Sequence, residues 1–91
     1  MFYVYVLHSA KDSGLYIGFS ADLRRRVREH ADGLAAATAH RRPFGLIYYE
    51  AYAEELDARG REVFLKSGAG RTYLKKQRRH YFVGHPLRQT A

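Results

Sequence analysis

Ninety-one residues, 46% hydrophobic and 27% charged, make one domain with a single modest core and exclude a disordered tail. The absence of cysteine excludes a disulfide framework and a thiolate zinc site. No apolar run approaches the roughly 18 residues of a membrane span and no signal peptide is visible, so a cytoplasmic location is the default. A net charge of +7, with twelve arginines to four lysines, points to a polyanionic partner, nucleic acid above all, because guanidinium grips phosphate through two donors and stacks on bases.

Phe2 to His8 alternates Tyr3, Tyr5 and Leu7 against Phe2, Val4 and Val6, which predicts a strand with two useful faces. The polar stretch Ser9 to Gly14 predicts a turn, after which Leu15 to Phe19 returns antiparallel as a hairpin. A shared site would need Tyr5 and Tyr16 on one face, and a one-residue slip in register would separate them.

Ser20 stands where a helix N-cap belongs, Asp22 falls in the first turn, and Gly33 follows the end of a helix from about Ala21 to Ala31. Leu23 and Val27 form its apolar anchor. Arg26 and His30, also four apart, point the same way and border that anchor, where a charge needs a partner. Arg24, Arg25 and Arg28 lie further round, and such a face is as readily solvated as it is a phosphate contact.

Asp32 to Arg42 reads as a small-residue loop ending in His40-Arg41-Arg42, a cluster suited to phosphate or to plain solubility. Pro43 drives Arg42 toward extended geometry. Phe44 to Tyr52 then predicts a third strand, apolar enough to be the central and most buried one. Glu54 to Lys66 predicts a second helix, acidic at its start and basic at its end. Its expected apolar stripe is Leu56, Val63 and Phe64, with Gly60 allowing close packing, and Glu62 and Lys66 share a face. Ser67-Gly68-Ala69-Gly70 should stop it, and Thr72 should cap a basic third helix from Tyr73 to about Phe82. Regular structure should end at Gly84-His85-Pro86, ahead of a frayed tail.

In combination these residues resemble the GIY-YIG nuclease domain in its small single-domain form. The elements are Tyr3-Val4-Tyr5, with Tyr3 where the family name has Gly; Tyr16-Ile17-Gly18; Arg26, ten residues after Tyr16, with His30 following; and a helical Glu62 ahead of the stretch Lys66 to Leu74. The resemblance runs from about Phe2 to Arg79. It implies an α+β fold, a three-stranded antiparallel sheet flanked by helices, with one nuclease domain over 1–83 and a flexible tail over 84–91. It further implies hydrolysis of a DNA phosphodiester with one divalent metal, magnesium or manganese, and no small-molecule cofactor. Carried over by position, Tyr5 and Tyr16 are the motif tyrosines, Arg26 the catalytic arginine, His30 its companion and Glu62 the metal ligand. Members often carry an asparagine near the end of the domain; this chain has none, and Thr72 is the stand-in considered. Nucleic-acid contacts are assigned to Arg24, Arg25, Arg28, His40, Arg41, Arg42, Lys66, Arg71, Lys75 and Lys76.

The chemistry suits these residue types. Negative charge building on the phosphate oxygens needs a fixed cation, which Arg26 supplies. Magnesium keeps most of its waters and needs only one or two carboxylates, which suits a lone Glu62. Ionising a tyrosine at pH 7 takes about 4 kcal/mol of local stabilisation, whereas His30 titrates near neutrality unaided; the family pattern favours a motif tyrosine as base, with His30 the competitor. The expected substrate is DNA, with duplex, branched, flapped and single-stranded forms all open, and little sequence specificity, since phosphate contacts carry no base information. The alternatives are a basic nucleic-acid-binding module without cleavage, and an interaction protein whose basic helices meet an acidic partner.

Overall fold

The computed structural model describes residues 1–87; the rest of the expected tail, 88–91, lies outside the described residues. Strand β1 (Phe2–Ser9) pairs antiparallel with β2 (Leu15–Ser20) on one side and with β3 (Phe44–Tyr52) on the other, in the order β2-β1-β3. The sheet is three-stranded, antiparallel and flanked by helices, as expected, but β1 and not β3 is its centre. The reason is that β1 is covered on both faces, Val4 and Val6 on one and Tyr5 and Leu7 on the other, whereas β3 leaves Leu46 and Tyr49 exposed. A bulge between Val6 and Leu7 shifts the β1–β3 register.

One face of the sheet carries the core. Val4, Val6 and Ile17 pack against Ala58 and Leu65 of α2 (Glu55–Lys66) and Leu74 of α3 (Gly68–Gln77). The apolar stripe of α2 is therefore Ala58–Leu65, two turns apart, and the expected Leu56 and Val63 stand in solvent at 83% and 71% exposure. Between the two buried positions Arg61 reaches Glu50 of β3 through Nε and Nη2 (2.9 and 3.0 Å). Burial opposes ionisation of Glu50, but Arg61, Tyr48 and Tyr52 all donate to its carboxylate and hold its pKa below the ordinary value. Gly60 meets nothing and permits no close packing. That part falls to Gly70, where a Cβ would overlap the Phe64 carbonyl and the Leu65 backbone.

Ser67 ends α2 and also begins α3, accepting from the Gly70 amide (3.1 Å). The third helix thus starts earlier than expected. Thr72 is no cap, because it lies inside α3 and donates to the Gly68 carbonyl (3.1 Å). What was expected as one helix to Phe82 is two, since α4 (Arg79–Gly84) follows after a break at Arg78 and is held to β1 by Tyr81 and His8 (2.7 Å).

Candidate active site

The other face of the sheet brings the predicted chemistry together. In the observed register Tyr5 lies opposite Gly18, and Leu7 opposite Tyr16, so both tyrosines share this face, their ring centroids 6.4 Å apart. A Cβ on Gly18 would overlap the hydroxyl end of the Tyr5 ring. The glycine is what lets that ring lie flat across β2.

Helix α1 (Leu23–Ala31) crosses this face. Its N-cap is Asp22, which accepts from the Arg25 amide (3.1 Å); Ser20, the expected cap, bonds the Asp22 backbone in a turn that leads into the helix. At the far end Gly33 takes a left-handed φ of 77°, and the Gly33 and Leu34 amides return to the His30 and Glu29 carbonyls. That closure turns the following loop back under His30.

His30 is 1% exposed and held on both nitrogens. The buried Thr38 hydroxyl donates to the Ala35 carbonyl (3.4 Å), so its lone pairs accept from His30 Nδ1 (2.6 Å). Nε2 is left without a proton and accepts the Tyr5 hydroxyl (2.7 Å). In this arrangement the imidazole is the Nδ1-protonated tautomer, which accepts the Tyr5 hydroxyl hydrogen bond. Burial, and then the Arg26 charge, push the His30 pKa down, so it is neutral at pH 7. Burial and the neighbouring Tyr16 push Tyr5 up to about 12, with Arg26 pulling the other way.

Arg26 donates to Glu29 (3.0 Å), which raises its pKa against the opposing effect of burial, and the nearby Tyr5 oxygen raises it further. Its charge therefore stands beside the Tyr5–His30 couple. Glu62, on α2, acts on the Tyr5 hydroxyl electrostatically while paired with the exposed Lys66 (3.0 Å). Among the described residues no group of three or more His, Cys, Asp or Glu side chains converges on a metal position.

The basic residues divide by position. Arg24, Arg25 and Arg28 are exposed on α1, Arg25 with Glu29 as partner (4.0 Å). Arg41 is engaged by Asp12 (2.7 Å) and lies over Phe44, holding the Asp12 carboxyl well below the usual range. Arg42 donates to the Ala39 and Ala31 carbonyls, closing the end of α1, and His40 is exposed beside it. Lys66, Arg71, Lys75 and Lys76 are exposed on the helices that cover the opposite face of the sheet.

Thr72 is exposed on α3. Thr38 escaped the sequence reading, although it is the lone hydroxyl in the run Ala35 to Ala39, as did Glu29, one helical turn from Arg26.

Comparison with known proteins identifies the family. The family model described as the GIY-YIG catalytic domain matches residues 1–80. A UPF0213 protein of Pediococcus acidilactici is 39% identical over 77 residues, 81% of this chain and 78% of that protein. One of Clostridium perfringens is 37% identical over 67 residues, 72% and 71% of the two chains. One of Haloquadratum walsbyi is 39% identical over 66 residues, 71% and 73%. No solved structure matches.

Proposed function

The chain belongs to the GIY-YIG catalytic domain family, and from that membership we propose that it is an endonuclease hydrolysing DNA phosphodiester bonds with one divalent metal, magnesium or manganese, held at Glu62. The observation that carries this is the buried hydrogen bond from Tyr5 to His30 (2.7 Å) with the Arg26 charge beside it. A fixed cation next to a proton-accepting couple is what attack of water on a phosphodiester requires.

The attacking water gives its proton to the Tyr5 oxygen as Tyr5 passes its own to His30 Nε2. The charge comes to rest on the imidazole and the tyrosine never has to exist as a free anion. Two observations support the pair acting together as base: Tyr5 alone, with a pKa of about 12, holds its proton too tightly, and His30 alone is buried. The new oxygen–phosphorus bond forms as the bond to the leaving oxygen breaks, and solvent protonates the leaving oxygen. Arg26 faces the charge that builds on the non-bridging oxygens. Glu62 suits magnesium or manganese because a hard, well-hydrated cation needs only one or two carboxylates beside substrate oxygens. Lys66 is a screened helical partner worth about 0.3–0.5 kcal/mol and is displaced readily. Bound there, the metal supplies charge neutralisation at the phosphate. With no base-reading element assigned, the enzyme selects its DNA by structure and not by sequence.

The test is cleavage of labelled duplex, flapped, branched and single-stranded DNA with magnesium, manganese or chelator, beside Glu62→Gln protein. Metal-dependent cuts that vanish in Glu62→Gln are expected. Cuts that persist in chelator or in the variant would remove Glu62 and its metal from the reaction. Tight binding with no cuts on any substrate would leave a binding module in place of a nuclease.

A further inference from the structure

Helix α1 divides its face of the sheet into two flanks. Arg26 lies on one. Arg24 and Arg28, four apart, lie roughly 200° and 160° round the helix from it, on the flank that overlooks β3. Arg25 and Arg26 share Glu29, but neither Arg24 nor Arg28 has a carboxylate partner among the described residues. Below them the sheet is uncovered. A groove runs between this flank and β3: one part, about 420 Å³, is lined by Tyr3, Leu23, Arg24 and Tyr49, and the next, about 430 Å³, adds Val27, Arg28 and Leu46. Tyr49 is 53% exposed and its ring lies against that of Tyr3, centroids 6.3 Å apart and tilted by 59°. The one carboxylate in the groove, Asp22, is at its end and is occupied in capping α1. Tyr3 is also the residue that stands where the motif name has glycine, so the departure from the motif builds the floor of this groove.

Aromatic faces beside unpaired guanidiniums are complementary to one kind of polyanion, a strand whose bases are free to stack and whose phosphates run alongside. A duplex presents base edges and backbone, and its base faces are already covered by their neighbours. We propose that this groove binds single-stranded DNA, with bases stacked on Tyr49 and Tyr3 and phosphates along Arg24 and Arg28. The proposal rests on the nuclease reading for the identity of the polyanion, and it narrows the substrate to DNA with an unpaired segment.

The test is binding, followed by fluorescence anisotropy in excess chelator so that nothing is cut. The probes are a labelled oligothymidylate, an abasic oligomer of the same length and a hairpin duplex. Tyr49→Ala is expected to weaken oligothymidylate binding by roughly 5- to 150-fold, the span for loss of one base–aromatic stack, and to leave the duplex unchanged. Tyr49→Phe should bind as wild type, because stacking needs the ring and not the hydroxyl. The abasic oligomer should bind wild type as weakly as oligothymidylate binds Tyr49→Ala. Arg24→Ala combined with Arg28→Ala should reduce the slope of log affinity against log salt by about 1.4, two single-strand phosphates. Equal wild-type affinity for the abasic oligomer and oligothymidylate, or an equal loss for duplex and single strand in Tyr49→Ala, would overturn the groove and leave a surface that reads phosphate alone. The two readings fail separately. A protein that cuts DNA but does not prefer bases to abasic sites loses the groove, and one that stacks oligothymidylate but cuts nothing loses the nuclease.

Discussion

Replacing Gly18 by alanine tests the link between the glycine of the Tyr-Ile-Gly triplet and the geometry of the site. The added methyl would fall well inside van der Waals contact of the Tyr5 hydroxyl, Cζ and Cε1 atoms. Neither side yields easily. Tyr5 is 1% exposed and tied at its hydroxyl to His30, and β2 is hydrogen-bonded to β1 along its length. Overpacking of this kind costs about 1–3 kcal/mol, and a displaced Tyr5–His30 bond adds about 1, so the expected loss is about 2–4 kcal/mol. A domain of this size has about 5–14 kcal/mol in total. In urea the midpoint should fall with the slope unchanged. Cleavage should fall by about 100-fold, because the Tyr5 oxygen moves by a good fraction of an ångström.

The control is the same substitution in a Tyr5→Leu background, where the three clashing atoms are gone. There alanine should be neutral, or better than glycine by about 0.5–1 kcal/mol, since it restricts the unfolded chain. The cycle should therefore show a coupling of about 2 kcal/mol or more. An equal loss in both backgrounds would place the role of Gly18 in its backbone alone and refute the steric argument.

Arg26→Ala should lower kcat/KM by 100-fold or more, as for loss of one preorganised donor to a developing oxyanion, and single-turnover cleavage checks it; a loss under tenfold would reduce Arg26 to positioning. Burial, and then Arg26, lower the His30 pKa, so the unfolded chain takes up a proton below about pH 6.5 while the folded chain does not. Stability from neutral His30 is thus complete above that pH and declines as pH falls toward the folded pKa; urea midpoints at about pH 7.5 and 5.5 should show this in wild type and not in His30→Gln. The acid limb of the cleavage rate should likewise lie below the ordinary histidine value. Gly70→Ala should cost about 2 kcal/mol or more by thermal denaturation, because the clash is with backbone at the α2–α3 crossing and no side chain can swing away.

Local signals in the sequence located most of the elements, and packing decided the rest. The hairpin was legible from the alternation in Phe2 to His8 and the turn residues after Ser9, whereas its register was open in the sequence and is seen only in the pairing of Tyr5 with Gly18. The centre of the sheet was misjudged because β3 is as apolar as β1; what separates them is that β1 is covered on both faces, and coverage is a property of the assembled layers. The same holds for α2, where Leu56 and Val63 outweigh Ala58 in hydrophobicity but a small alanine is what fits against Val4 and Ile17. Arg61 explains the shift of stripe, since its pairing with Glu50 holds the helix in a rotation that apolar counting alone does not find. In the candidate site, Tyr5, Tyr16, Arg26 and His30 were named by the family resemblance and lie together around the Tyr5–His30 bond, whereas Thr38 was hidden by lying eight residues beyond His30 across a turn.

The two faces of the sheet explain why so small a domain can carry a buried polar site. Strand alternation sends Val4 and Val6 into an apolar core with α2 and α3, and Tyr5 between them to the opposite face. Stability and chemistry are thus separated by one residue of register, and a slip would lose both together. On the polar face each buried group is answered: Tyr5 by His30, His30 by Thr38, Thr38 by the Ala35 carbonyl. Among the described residues no buried side-chain polar atom lacks a partner. That chain of bonds ends on backbone, and with Thr38 donating to the Ala35 carbonyl it leaves His30 Nε2 as the acceptor for the Tyr5 hydroxyl. The Gly33 turn that brings Thr38 under His30 therefore belongs to the candidate site as much as the motif tyrosines do.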